Sequence, residues 1–196
     1  IMAYYLKKAI EIKDDIVKNR REIHQNPELG FNLEKTIALV VDRLKCYGYE
    51  PKIVGKAGVT ATVGSGSPVI LLRGDMDALP MDETTGLEFA SVNGATHSCG
   101  HDGHTSMLLG AARILKENEA NLKGTVKFMF QPAEEILGGA IDMIENGILE
   151  NPKVDAAVAI HLYAGDAESK MGNIYLSRGQ AMSSADAYRI DRKSVV

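Results

Sequence analysis

Cysteine is scarce in this chain: two among 196 residues, Cys46 and Cys99, far apart in sequence. That excludes a scaffold built on disulfides and fits reduced thiols, hence a cytoplasmic setting. No stretch approaches the roughly 18 apolar residues of a membrane span. The opening Ile1-Met2-Ala3-Tyr4 carries no long apolar core of the kind a secretion signal has. Neither a membrane partner nor a leader is therefore expected. A basic excess is also lacking: the net charge is -4, which argues against nucleic acid as a partner. Internal repeats and low-complexity linkers are missing too. What is there is a chain of 45% hydrophobic and 24% charged residues, enough to bury a core. Its length suits one domain, or one domain and the start of another.

Apolar positions Leu6, Ala9, Ile10, Ile16, Val17 and Ile23 predict one amphipathic helix over 4–24. Asn26-Pro27 and Gly30 break it. Leu33, Ile37, Val40, Val41 and Leu44 predict a second helix over 33–47, stopped by Gly48. Short β-type runs follow at 52–54 and 58–63. Val69-Ile70-Leu71-Leu72 is continuously apolar and reads as a buried strand. A helix is expected over 105–117, a strand over 125–130, a short helix over 138–146 and a buried strand from Val154 to Ile160. Ile174-Tyr175-Leu176 and Ala187-Tyr188-Arg189-Ile190 read as further strands. Strands alternating with helices predict an α/β sandwich with a largely parallel sheet.

Polar residues crowd just past three of these strands. Gly74-Asp75-Met76-Asp77 follows the first, Gln131-Pro132-Ala133-Glu134-Glu135 the second, and His161 ends the third. Parallel strands bring such ends to one edge of a sheet, where open α/β proteins bind ligands. A fourth group, His97-Ser98-Cys99-Gly100-His101-Asp102-Gly103-His104, stands just before the helix at 105–117. It gathers three of the five histidines and one of the two cysteines. Thiolate, imidazole and carboxylate are the usual ligands of zinc and similar divalent ions. Cys99 and His101, as alternate residues of an extended loop, can point the same way. Glu134 and Glu135, as neighbours, diverge: one is suited to a metal and the other to moving the proton of a metal-activated water.

Each feature alone has a plainer reading. His24 reads as a surface or loop histidine and Cys46 as a small hydrophobe packed on its helix. Asp75 and Asp77 could cap a turn, Glu134-Glu135 could be a solvated pair, and His161 a structural polar residue. The four groups together, at strand ends in an α/β order, favour a metal site.

These stretches resemble the aminoacylase-like metallopeptidase family, in the branch of hippurate hydrolases, N-acetyldiaminopimelate deacetylases and indoleacetyl-amino-acid hydrolases. The matching residues are His24-Gln25-Asn26-Pro27-Glu28-Leu29 with Glu34; Gly74-Asp75-Met76-Asp77-Ala78-Leu79-Pro80; the run from His97 to Ala112; Gln131 to Glu135; and Ile160-His161-Leu162. The resemblance implies a three-layer α/β/α catalytic domain. It implies two divalent ions per complete site (Mn, Zn, Co or Ni), held by Cys99, His101, Glu135 and His161. Glu134 would be the general base and later the general acid, and Asp77 the catalytic aspartate that orients a ligand. Related branches have a metal-binding histidine where this chain has Asp75.

The same resemblance implies that 1–184 is the N-terminal part of the catalytic domain. Residues 185–196 would be the first strand of a lid or dimerisation domain plus a tail, Arg192 to Val196, unlike the family. One more metal-binding histidine would follow. The expected activity is cleavage of the amide bond of N-acyl amino acids or small peptides by a metal-activated water, with homodimerisation of the full-length protein. The alternative is a truncated metal-binding fragment without catalysis. A two-metal phosphoesterase is a third reading, for which Arg73 is the one anchoring cation near the motifs.

Overall fold

The computed structural model describes residues 2–165, 170, 172–176 and 178–180. Residues up to Leu162 form one compact unit and those from Tyr163 a second. The first unit runs α1 (Met2–Glu11), α2 (Lys13–His24), α3 (Glu34–Cys46), β1 (Lys52–Val54), β2 (Gly58–Ser65), β3 (Val69–Asp75), α4 (His101–Glu117), β4 (Gly124–Gln131), α5 (Gly139–Glu145) and β5 (Ala156–Ala159). Among the described residues no helix is long and apolar enough to cross a membrane.

One mixed sheet, ordered β1-β2-β4-β3-β5, forms the middle layer. β1 and β2, and β2 and β4, pair antiparallel; β3 pairs parallel with both β4 and β5. The β3-α4-β4 passage is the crossover that parallel neighbours require. Period-two alternation along β4 sorts its side chains between two cores. Phe128 and Phe130 pack with Leu44 of α3, Leu109 and Ala112 of α4 and Val59 of β2. Met129 turns to the other face, with Leu71 of β3, Met143 of α5 and Ile148. Helices thus cover both faces, as in a three-layer α/β sandwich.

Lys127 shares Met129's face. Its buried ammonium donates to the carbonyls of Ile148 (3.0 Å), Glu150 (2.7 Å) and Pro152 (3.1 Å), pinning the turn that follows α5. Burial lowers its pKa, yet three acceptors favour the charged form. Lys127→Met would strand three carbonyls, and a loss of on the order of 3 kcal/mol is expected in urea unfolding. An unchanged midpoint would show that the turn stands without the lysine.

Several sequence expectations are corrected. The single helix over 4–24 is two helices, kinked at Ile12, whose buried side chain turns inward while Ile12 N→Lys8 O and Ile16 N→Ile12 O bonds run through the kink. The helix expected at 105–117 begins four residues earlier, at His101. Gly100, left-handed at φ +85°, occupies its N-cap, a conformation that a side chain would strain. The strand expected to be buried from Val154 to Ile160 is shorter, Ala156–Ala159, and exposed, because it is paired only to β3 among the described residues. Ile174, Tyr175 and Leu176 form no strand. Cys46 is exposed rather than packed. The strand expected at 187–190 and the division at 184/185 lie outside the described residues.

Candidate metal centre

Sheet register builds the site. Asp75 stands opposite Gln131 in the parallel β3–β4 pair, and Arg73 opposite Ala159 in the parallel β3–β5 pair. The carboxyl ends of all three strands therefore reach one edge together, with Asp75-Met76-Asp77, Pro132 to Glu135 and His161 just past them. α4 starts at the same edge and supplies His101 and His104.

A left-handed turn at buried Ala133 (φ +50°) redirects the chain as it leaves β4. Strain of that kind collects at functional sites. Here it aims the backbone N–H groups of Glu134 and Glu135 at the two oxygens of Asp77, at 3.0 and 3.1 Å. The Asp77 carbonyl accepts from His101 Nδ1 at 2.8 Å. One buried residue thus orients the helix-borne ring and the paired glutamates.

That carbonyl can only accept, so His101 carries its proton on Nδ1 and turns the lone pair of Nε2 into the site. Nε2 is buried with no hydrogen-bond partner among the described residues, and so is Glu135 Oε1. The two lie 3.7 Å apart; Glu134 Oε2 is 3.9 Å and Asp75 Oδ2 3.5 Å from the same nitrogen. These separations are long for hydrogen bonds but fit ligands around a shared cation. Buried polar atoms left without partners call for an ion or water. The residues present therefore fit a divalent metal.

His161 is set in the same way. Its Nδ1 donates to the Leu162 carbonyl at 2.6 Å, leaving Nε2 3.4 Å from Cys99 Sγ. Burial first, then the carboxylates of Glu135, Glu134 and Asp75, push the Cys99 thiol up to about 11. The same negative surroundings attract a cation, and a bound cation would favour the thiolate. Three groups of metal-binding atoms result: Cys99, His101 and His161; Asp75, His101 and His104; His101, Glu134 and Glu135. His101 is in all three. All six residues named from the sequence, Glu134, Asp77, Cys99, His101, Glu135 and His161, come to this edge. Glu134 is the more open of the glutamates, its side chain 36% exposed against 20% for Glu135.

Asp75 Oδ1 and His104 Nδ1 meet at 2.6 Å, a contact with no local signal in the sequence, and His24 departs from the expected surface or loop position. That residue is buried at the end of α2, not on a loop surface. Its Nδ1 lies 2.8 Å from Asp102 Oδ2 and its Nε2 3.0 Å from Glu83 Oε1. Asp102 also accepts from Arg20. Two carboxylate partners require protons on both ring nitrogens. Burial works against the charge, but these bonds outweigh it and raise the pKa of His24 above 6.5. Glu83 takes further bonds from Ser91 and Thr85, so His24 ties the 83–91 loop to the start of α4.

A raised histidine pKa stabilises the fold fully below the unfolded value, and the contribution fades as pH climbs through the folded value. Stabilities of the chain and of His24→Gln should therefore differ by roughly 1–2 kcal/mol at about pH 6 and converge as pH climbs through the raised His24 pKa. A constant gap across that range would show that the ring acts by packing alone.

The chain is similar to known proteins over most of its length. The chain is 45% identical over 179 residues to the IAA-amino acid hydrolase ILR1-like 2 of Arabidopsis thaliana, covering 88% of this chain and 40% of the relative. It is 40% identical over 185 residues to an N-acyl-L-amino acid amidohydrolase of Geobacillus stearothermophilus, covering 92% and 49%. A solved dinuclear metal binding peptidase of the M20 family from Bacillus subtilis superposes with a TM-score of 0.72 at 42% identity, over 76% of this chain and 42% of that one. The chain thus spans a little under half the length of these relatives. The profile of peptidase family M20/M25/M40 matches residues 71–187. Every candidate metal-binding group assembled at the sheet edge falls inside that span, and the chain belongs to peptidase family M20/M25/M40.

Proposed function

We propose that this chain carries the metal centre of an amidohydrolase that cleaves the amide bond of N-acyl amino acids or small peptides. The observation that carries the reading is His101 Nε2, buried and unpartnered, on a residue that stands with Cys99 and His161 and with Glu134 and Glu135. Cys99, His101, Glu135 and His161 would hold two divalent ions, with manganese, zinc, cobalt and nickel all compatible with thiolate, imidazole and carboxylate together. When bound, such ions polarise a carbonyl and lower the pKa of water. Asp77 orients His101 and the Glu134-Glu135 backbone. Glu134, the more exposed carboxylate, takes a proton from the attacking water as its oxygen bonds to the carbonyl carbon. It returns that proton to the nitrogen as the C–N bond breaks, which is general base and then general acid work.

The printed names of the relatives, hydrolases of IAA–amino acid and N-acyl-L-amino acid conjugates, support the substrate class. Free thiols at Cys46 and Cys99 support a cytoplasmic setting. The phosphoesterase reading loses its anchor, since Arg73 is already engaged by Asp75 Oδ2 at 2.8 Å and Gln131 Oε1 at 2.8 Å.

The test is hydrolysis of N-acetyl and N-benzoyl amino acids by the protein carrying this chain, with Mn²⁺ or Zn²⁺ and after chelation. Cleavage that requires the ion is expected. No ion-dependent cleavage across a broad panel would overturn the reading.

A further inference from the structure

We propose that His104 is a positioning residue: it fixes the backbone at Leu162 and thereby aims His161 at Cys99, while Asp75 holds the His104 ring rather than a metal. This inference rests on the metal-centre reading above and assigns work to two residues that reading leaves idle. Among the clustered rings, His101 keeps Nε2 without a protein partner and His161 turns Nε2 to the Cys99 thiol at 3.4 Å. His104 instead spends Nε2 on the backbone. The Leu162 N–H donates to His104 Nε2 at 2.8 Å. A backbone amide can only donate, so Nε2 must accept and Nδ1 must carry the proton. That proton points at Asp75 Oδ1, 2.6 Å away. Both ring nitrogens are thus spent on protein partners. The Asp75–His101–His104 group therefore lacks a free lone pair on its third member, although its atoms are close enough for an ion.

Leu162 is the junction. Its N–H is held by His104, and its carbonyl accepts from His161 Nδ1, the bond that turns His161 Nε2 to Cys99. The His104 and His161 rings meet edge to face at 4.5 Å. The Leu162 side chain lies over Gly103, where a Cβ would collide with its Cδ1, and a Cβ at Gly100 would come within 3.4 Å of its Cβ. Asp75, at the end of β3 and paired with Arg73, cannot shift without disturbing the sheet edge. The order of support runs from Arg73 through Asp75 and His104 to the Leu162 backbone and then His161. Outer partners of this kind orient metal-bound histidines.

Two near-isosteres separate the links. Asparagine at 104 can keep a donor where Nδ1 stands, but offers no acceptor at the Nε2 position. Glutamine offers that acceptor and gives up the donor to Asp75. The readout is titration of the chain with cobalt(II), followed by the Cys99 thiolate-to-cobalt absorption and the visible ligand-field bands. His104→Asn should weaken cobalt binding roughly tenfold to hundredfold and move the ligand-field bands towards those of His161→Ala, with the thiolate band retained. His104→Gln should keep most of the affinity. Equal losses in the two variants, or an unchanged His104→Asn, would overturn the proposal.

Hydrogen exchange at the Leu162 amide of the unsubstituted chain is a second test that needs no variant to fold. Protection is expected, and exchange as fast as an open loop amide overturns the proposal. If the unsubstituted chain takes up no cobalt, the metal-centre reading itself falls and this inference with it.

Discussion

His101→Ala is expected to abolish tight metal binding, lowering affinity by roughly a hundredfold or more, beyond the cost of losing an outer-sphere partner. The ring stands with two sets of candidate ligands. Cys99 and His161 meet each other at 3.4 Å, and Glu134 and Glu135 lie 3.9 and 3.7 Å from Nε2. Removing the imidazole takes a ligand from every group at once. It also takes the partner of the Asp77 carbonyl, but the Asp77 carboxylate still holds the amides of Glu134 and Glu135. The fold should therefore persist while the site empties. Calorimetric titration with Zn²⁺ or Mn²⁺, beside circular dichroism, separates the two effects. A folded variant that binds with its original affinity and stoichiometry would remove His101 from the ligand set.

Glu134→Gln is expected to leave metal binding nearly intact and to cost roughly two to four decades of rate in the protein carrying this chain, the usual share of general acid–base catalysis. The amide is the same size as the carboxylate, and the backbone N–H that Asp77 holds is unchanged, so the position survives and only the proton acceptor goes. Glu135→Gln should show the opposite balance, weaker metal binding first, because Glu135 Oε1 is the buried, unpartnered oxygen. Similar rate losses with similar metal losses in both variants would mean that the two glutamates do not divide the work.

The sheet edge was legible because its signals are local. Continuous apolar runs marked β3 and β4, and polar clusters followed them at once, so their meeting required only that the strands be parallel. Other features depended on distant partners. The early start of α4 is hidden by Gly100 and Gly103, poor helix formers that the structure uses for a left-handed cap and a seat for Leu162. His24 looked like a loop residue because its partners are 59 and 78 positions away. Lys127 reads as an ordinary polar residue in a strand, and only the turn at 148–152 shows why it is buried. Pairing across such distances is decided by tertiary packing, which no local periodicity reports.

The parallel register has a consequence for the order in which the centre can form. Cys99 and His101 are two residues apart and available even in an unfolded chain, whereas Glu135 and His161 are delivered only when β4 and β5 have docked on β3. A slip of two residues in either pairing would carry its ligand away by about 6.6 Å, well beyond the reach of a coordination bond. On the proposed ligand set, an ion would be caught early by the cysteine and histidine and enclosed only by the correctly aligned sheet. It would then latch that alignment, adding about 2.7 kcal/mol when the free ion stands a hundredfold above its dissociation constant. Binding to the unfolded Cys99–His101 pair would subtract from that figure, so the gain in melting temperature on adding metal measures how much of the centre is made by the sheet.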